Sequence, residues 1–254
     1  MPQHIVISGA SSGSGLALAR HYLERGATVA AFARRGKLLQ ALAAEFPGRV
    51  YCYTLDVRDS PALQDAANDF IARAGVPDVV IANAGVSVGT LTEAVEDLEE
   101  FQQVMDINVL GMVRTFQPFV AAMRAMKQGT LVGIASVAGF RGLPGASAYS
   151  ASKAAAISYL ESLRVELRGS GVKVVTICPG YIKTPMTSIN PYSMPFLLEA
   201  DDAARRMARA IEHQISFTVI PWQMGLVGRM LKLLPNWLYD GLFAQAPRKP
   251  RRYI

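Results

Sequence analysis

Tyr149-Ser150-Ala151-Ser152-Lys153 sets a phenol and an ammonium four residues apart. On a helix that spacing puts both side chains on one face, about one turn from each other. A free phenol, with a reference pKa of about 10, exchanges protons poorly near neutrality. A neighbouring positive charge favours the phenolate, so the pair is suited to moving a proton to or from an oxygen. Ser136 precedes Tyr149 by thirteen residues. A serine hydroxyl can hold a carbonyl oxygen while a tyrosine gives up its proton.

A second constellation lies near the start. Ser8-Gly9-Ala10-Ser11-Ser12-Gly13-Ser14-Gly15 follows an apolar run and precedes a helical pattern. Gly9, Gly13 and Gly15 suit a tight turn in which backbone approaches a pyrophosphate, and the helix N-terminus then offers free N–H groups. At the end of the second strand stands Ala33-Arg34-Arg35. A carboxylate at position 33 would hold the ribose 2′-hydroxyl of NAD. Here it is missing and two guanidiniums follow, which suit a phosphate. The segment predicts NADPH, with Arg34 as the main contact, against the blander possibility of a solvated charge pair.

These groups need a scaffold. Short apolar runs predict strands at 5–7, 28–32, 50–55, 79–81, 131–135, 172–177 and 217–220. Helical patterns fall at 16–25, 38–46, 61–74, 101–127 (bent near Pro118) and 148–168, with Gly26, Pro47-Gly48 and Gly75 as stops. The strand runs are continuously apolar, so both sheet faces must be covered. Alternation with helices then gives an α/β fold, a doubly wound Rossmann-type parallel sheet of about seven strands. Ser136 falls just past the fifth strand, at the carboxyl end where such sheets bind ligands.

Composition agrees with a globular enzyme. Of 254 residues 51% are hydrophobic and 18% charged, which excludes a disordered chain. Residues 1–202 carry 17 basic and 18 acidic groups, and residues 203–254 carry 9 and 2. The net positive charge therefore comes from the C-terminal fifth, unlike the basic folded surface of a nucleic-acid binder. Cys52 and Cys178 read as core residues of a reducing compartment, and the three histidines are too scattered for a metal site. The start, Met1-Pro2-Gln3-His4, runs straight into a strand without a secretory pattern, so the expectation is cytoplasmic.

Taken in order, these motifs resemble the short-chain dehydrogenase/reductase family over roughly residues 3–220. The set is the glycine loop, Asp56-Val57, Asn83-Ala84-Gly85, Asn108, Ser136, Tyr149 with Lys153, and Pro179-Gly180 followed by Thr184. The resemblance implies a Rossmann-type catalytic domain over 1–221 that binds NADP(H), with NAD(H) less favoured. Tyr149 would be the general acid for ketone reduction or the base for alcohol oxidation. Lys153 would favour its phenolate and bond the nicotinamide ribose, and Ser136 would polarise the carbonyl. Asn108 would position a water beside Lys153. Asp56 and Val57 would hold the adenine, and Ser11, Ser12 and Arg35 would join the phosphate end. Asn83, Ala84 and Gly85 would line the cleft, with Pro179, Gly180, Ile182 and Thr184 at the carboxamide. Ser8, Ser14 and Ala82 replace the family's usual threonine, isoleucine and asparagine, at positions that mainly support turns and strand ends.

The segment 181–200 resembles the family's substrate lid and is apolar, with Tyr181, Met186 and Tyr192; Phe140 and Leu143 would form the opposite wall. This points to a lipophilic carbonyl or alcohol, although such a lid also packs on the body whatever the substrate. Lys183 is its one basic residue. Beyond it, residues 222–254 form an amphipathic extension with a basic end, Arg248-Lys249-Pro250-Arg251-Arg252. That extension either closes the cleft or packs in a subunit interface, or else it lies on an anionic membrane. The resemblance further implies a homodimer or homotetramer. A catalytically silent, cofactor-binding or membrane-associated scaffold is the other class open to this fold, and the intact serine, tyrosine and lysine argue against it. Ala33→Asp combined with Arg34→Ala is expected to move the kcat/KM ratio toward NADH by about tenfold or more; an unchanged ratio excludes the arginine reading.

Overall fold

A computed structural model describes residues 3–251; Arg252, in the basic end, lies outside the described residues. The chain runs β1 (His4–Ser8), α1 (Gly13–Glu24), β2 (Thr28–Ala33), α2 (Gly36–Glu45), β3 (Val50–Thr54), α3 (Ser60–Ala74) and β4 (Val79–Ala82). Then come α4 (Asp97–Met105), a π-helical turn (Asp106–Leu110), α5 (Gly111–Met126), β5 (Thr130–Ile134), α6 (Ser147–Glu166) and β6 (Lys173–Pro179). It closes with α7 (Ala200–Glu212), β7 (Phe217–Ile220), α8 (Trp222–Leu233) and α9 (Asn236–Phe243).

The strands form one parallel sheet in the order β3-β2-β1-β4-β5-β6-β7. Successive side chains alternate between faces. Ile5 and Ile7 of β1 pack with Leu18 and Leu23 of α1 and Met207 of α7 on one side. Val6 packs with Phe70 of α3, Phe119 of α5 and Leu160 of α6 on the other. Two helix layers thus account for strands without polar alternation. β1 pairs with both β2 and β4, so the winding reverses between them and opens a crevice at the carboxyl ends.

Three details depart from the sequence expectations. The single helix over 101–127 is instead α4, the π-turn and α5 in succession. The irregularity lies at Asp106–Leu110, and Pro118 sits inside α5 without ending it. The wider turn carries Asn108, and such turns often re-aim one side chain toward a site. Helix α7 was not among the expected helices, although its apolar and charged residues fall on opposite faces. Its buried face is mostly small, with Ala203, Ala204 and Ala208 beside Met207 and Ile211, and Asp201 and Asp202 complement its N-terminus. The second apolar patch of the extension forms α9. Among the described residues no helix is long and apolar enough to cross a membrane. Phe119 is fully buried between α5 and the sheet; Phe119→Ala is expected to lower the unfolding free energy by about 3–5 kcal/mol in urea titration.

Candidate active site

The carboxyl ends of β1, β2, β4, β5 and β6 surround a cleft of about 390 Å³. Its floor is the β1–α1 turn. Gly9 takes φ +72° and Gly13 φ +55°, which side chains rarely adopt. A β-carbon on Gly15 would overlap the Gly9 carbonyl and crowd Asn83 at 2.5 Å, so Gly15 lets α1 start against β1 and lies behind the cleft wall. Ser8 Oγ accepts the backbone N–H groups of Asn83 and Ala84, each at 3.2 Å. Ser14 Oγ donates to Asn83 Oδ1 at 2.8 Å. Two positions that depart from the family pattern thereby tie the glycine turn to the loop after β4.

The turn fits a dinucleotide. No side chain caps the N-terminus of α1 at Ser12, so its first N–H groups remain for an anion. Ser11, Ser12, Gly13, Arg34 and Arg35 line that end. Arg35 Nη2 donates to Ser11 Oγ at 3.0 Å and Ser12 Oγ at 2.5 Å. Arg34 keeps 60% of its side chain in solvent and stands 3.9 Å from Asp56. Asp56 and Val57 line the next corner. The Arg58 guanidinium grips the Asp56 carboxylate at 2.8 and 3.1 Å and holds its pKa below the usual value. The cap of α3 is Asp59, which accepts from Ala62 N–H at 3.0 Å. Arg58 was not foreseen, although the contact is local: its backbone N–H also donates to Asp56 Oδ1 at 3.0 Å.

At the other end Ser136, Tyr149 and Lys153 all face the cleft. Tyr149 and Lys153 lie on α6, and Lys153 Nζ is 5.7 Å from the Tyr149 ring centre. Lys153 is buried, donates to the Ile134 carbonyl at 2.9 Å, and burial pushes its pKa down to about 8. Ser136 accepts from Ala138 N–H at 3.1 Å and reaches the Pro179 carbonyl at 3.4 Å. Beneath them Cys178 is buried, and burial pushes its thiol up to about 12, so it acts as core. Cys52 is only half-buried, its thiol donating to the Leu39 carbonyl.

Asn108 is fully buried behind this wall. Its Oδ1 accepts from Val86 N–H at 2.8 Å, and its Nδ2 donates to Val86 O at 3.0 Å and Ser152 Oγ at 2.9 Å. The π-turn thereby clamps the loop after β4 onto α6. A β-carbon on Gly85 would stand 3.2 Å from Asn108 Oδ1 and 3.7 Å from Lys153 Nζ, so both groups converge there. Asn83, Ala84, Gly85, Pro179, Gly180, Ile182 and Thr184 complete the lining. Thr184 closes over the glycine turn, its methyl in contact range of Gly13.

Of the substrate-side residues, Met186 lines the cleft. Tyr181 and Tyr192 fall outside the lining and meet each other edge to face at 6.4 Å. Phe140 is elsewhere: it stacks on Phe217 at 6.2 Å and lies over Gly228 of α8, because the extension gives its ring an apolar bed outside the cleft. Leu143 also falls outside the lining, its N–H turned to Ser150 Oγ at 3.2 Å. Lys183 is paired with Glu199 at 2.9 Å on the surface.

The pKa of Lys153 falls from its ordinary value near 10.5 to about 8 on folding. The unfolded chain then binds the extra proton between those limits, so the contribution of Lys153 to stability improves as pH rises through that window. Wild-type unfolding free energy is expected to gain about 1–2 kcal/mol on Lys153→Met between pH 7.5 and 9.5 in urea titrations; a pH-independent difference refutes the buried charge.

A family model described as short chain dehydrogenase matches residues 3–191. A Myxococcus xanthus protein named uncharacterized oxidoreductase is 42% identical over 92% of this chain and 94% of its own. A Sphingomonas sp. protein named 2-dehydro-3-deoxy-L-rhamnonate dehydrogenase (NAD(+)) is 36% identical over 74% and 75%. The crystal structure of a short-chain dehydrogenase from Streptomyces avermitilis superposes with a TM-score of 0.80 at 29% identity, covering 91% of this chain and 93% of that one. On its seven-stranded sheet, its glycine turn and these relatives together, the chain belongs to the short-chain dehydrogenase family, oxidoreductases that act on CH–OH or C=O groups with a nicotinamide cofactor.

Proposed function

We propose that the chain reduces a lipophilic carbonyl compound with NADPH, or oxidises the matching secondary alcohol with NADP+, through Ser136, Tyr149 and Lys153. The observation that carries this reading is the convergence of those three side chains on one cleft wall, with the Lys153 ammonium buried one turn from Tyr149. A bound nicotinamide supplies or accepts the hydride. The residues do the rest. Ser136 holds the substrate oxygen by its hydroxyl. Tyr149 hands its phenolic proton to that oxygen as the carbonyl carbon is reduced, and takes one back in the reverse direction. The Lys153 charge, held at the Ile134 carbonyl, stabilises the phenolate left behind. Asn108 positions this machinery by fixing Val86 to Ser152, since both ends of its amide are engaged.

NADP(H) is supported by Ala33 in place of a carboxylate and by Arg34 and Arg35 at the cleft rim. The NAD-dependent dehydrogenase among the relatives shows that the fold also serves the other cofactor. A lipophilic substrate is supported by Met186 in the lining and by the apolar composition of the lid that carries it. Exposed Met126 on α5 and Val165 on α6 support a homo-oligomer built on those helices. For the extension, a role at the cleft is favoured over membrane contact. Arg141 bonds the Leu234 carbonyl at 2.7 Å and lies over Tyr239 at 4.0 Å, so the extension is fastened to the loop that follows Ser136.

Tyr149→Phe is expected to lower turnover of ketones by about 10²–10⁴-fold while NADPH binding, followed by nucleotide fluorescence, stays nearly unchanged. Near-normal turnover refutes the proton role. Absence of turnover in the wild type across short and long ketones with either cofactor favours the silent-scaffold class.

A further inference from the structure

Beyond α9 the chain turns back onto the loop after β4 and the lid segment. Gly89 N–H donates to the Pro250 carbonyl at 2.7 Å. Arg251 fastens the strap to the start of α4, pairing with Asp97 at 2.8 Å and Glu96 at 2.7 Å. On the other flank, Gly145 takes φ +72°, and a β-carbon there would stand 2.7 Å from the Arg248 side chain. The strap therefore lies between the loop after β4, the loop before α6 and the lid segment that carries Met186.

Between these anchors Lys249 points inward and is only 8% exposed. Its ammonium donates to Ser87 Oγ at 2.9 Å and to the Met186 carbonyl at 3.4 Å. Met186 lines the cleft, and so does Val86, the residue before Ser87. Both acceptors are neutral, and among the described residues Lys249 has no acidic partner. Burial pushes its pKa down to about 8. A buried, uncompensated ammonium is costly for a fold to keep. It is not needed to hold the strap, because Arg251 already does so with two carboxylates. The other buried lysine, Lys153, also rests on a neutral carbonyl, and it belongs to the catalytic wall.

We infer that Lys249 is a specificity-determining residue that takes an anionic group of the substrate, a carboxylate in the simplest case, so that the preferred ketone is apolar in its body and negatively charged at the end away from the reacting carbonyl. The inference rests on the reductase reading and names the substrate class of that same cleft. Substrate binding supplies the missing counter-ion, and the third N–H of the ammonium is the donor for it. Lys183, the lid's own cation, is already matched by Glu199 and cannot serve.

The test uses matched ketones with NADPH: 9-oxodecanoate and 4-oxopentanoate, each beside its methyl ester. At one of the two lengths the acid is expected to exceed its ester in kcat/KM by about tenfold or more. That ratio is expected to collapse toward one in Lys249→Met and to recover in part in Lys249→Arg. Using the ratio removes any general loss of folded enzyme. Equal ratios in the wild type at both lengths, or an acid preference that survives Lys249→Met, overturn the assignment. A binding arm separates this result from failure of the reductase reading. Calorimetry in the presence of NADP+ compares decanoate with decanol on wild type and Lys249→Met and needs no turnover. A decanoate advantage lost in the variant supports the anion site even if no ketone reacts. Equal binding of the two ligands to the wild type overturns it.

Discussion

The buried ammonium of Lys153 is the constraint on which the site depends. A charge held out of water must be placed by something rigid, and the Ile134 carbonyl at the end of β5 does this. That carbonyl is available because the sheet ends there, leaving an acceptor that no neighbouring strand claims. Helix α6 must then cross the strand end at the height that brings position 153 to it. Tyr149, one turn earlier, consequently points into the same cleft. Gly133 next to Ile134 allows this approach, since a β-carbon there would run into Leu160 of α6. The shared orientation of Tyr149 and Lys153 and the close helix–strand packing are two consequences of one contact.

The remainder of the cleft follows from parallel winding. Every strand delivers its carboxyl end to the same edge, so short loops from β1, β2, β3, β4, β5 and β6 can converge without long excursions. The loops are then cross-linked. Ser8 and Ser14 bind the glycine turn to Asn83, and Asn108 binds Val86 to Ser152. Each bond joins neighbouring loops, so the nucleotide end and the proton-transfer end are parts of one hydrogen-bonded rim. The π-turn at Asp106–Leu110 is the local irregularity that lets a helix contribute Asn108 to that rim.

The substrate side is built differently. There the lid contributes Met186 to the lining, while the loop after Ser136 and the C-terminal strap pack outside it. Arg141 and Arg251 anchor the last two by charge and hydrogen bonds to backbone and carboxylates. The basic excess of the last fifth of the chain is therefore partly spent inside the molecule, against Asp97 and Glu96, and is not wholly a solvated tail.

The sequence alone determined the sheet, the glycine turn and the helix that carries Tyr149 and Lys153 on one face, because each rests on local pattern: unbroken apolar runs, positions that need glycine, and a helical four-residue spacing. All seven strands lie within two residues of the expected ends. Helix α7 went unassigned although it is amphipathic, with Ala203, Ala204, Met207, Ala208 and Ile211 on its buried face. The break in the long helix was expected at Pro118, since proline is the visible breaker. It occurs at Asn108, where the cause is a hydrogen-bond partner distant in sequence. The placement of Phe140 on Phe217 and of Lys249 on Ser87 was likewise settled only in three dimensions. Those contacts join residues from different loops, or fix which way a side chain turns. Local periodicity specifies neither; only packing of the whole chain does.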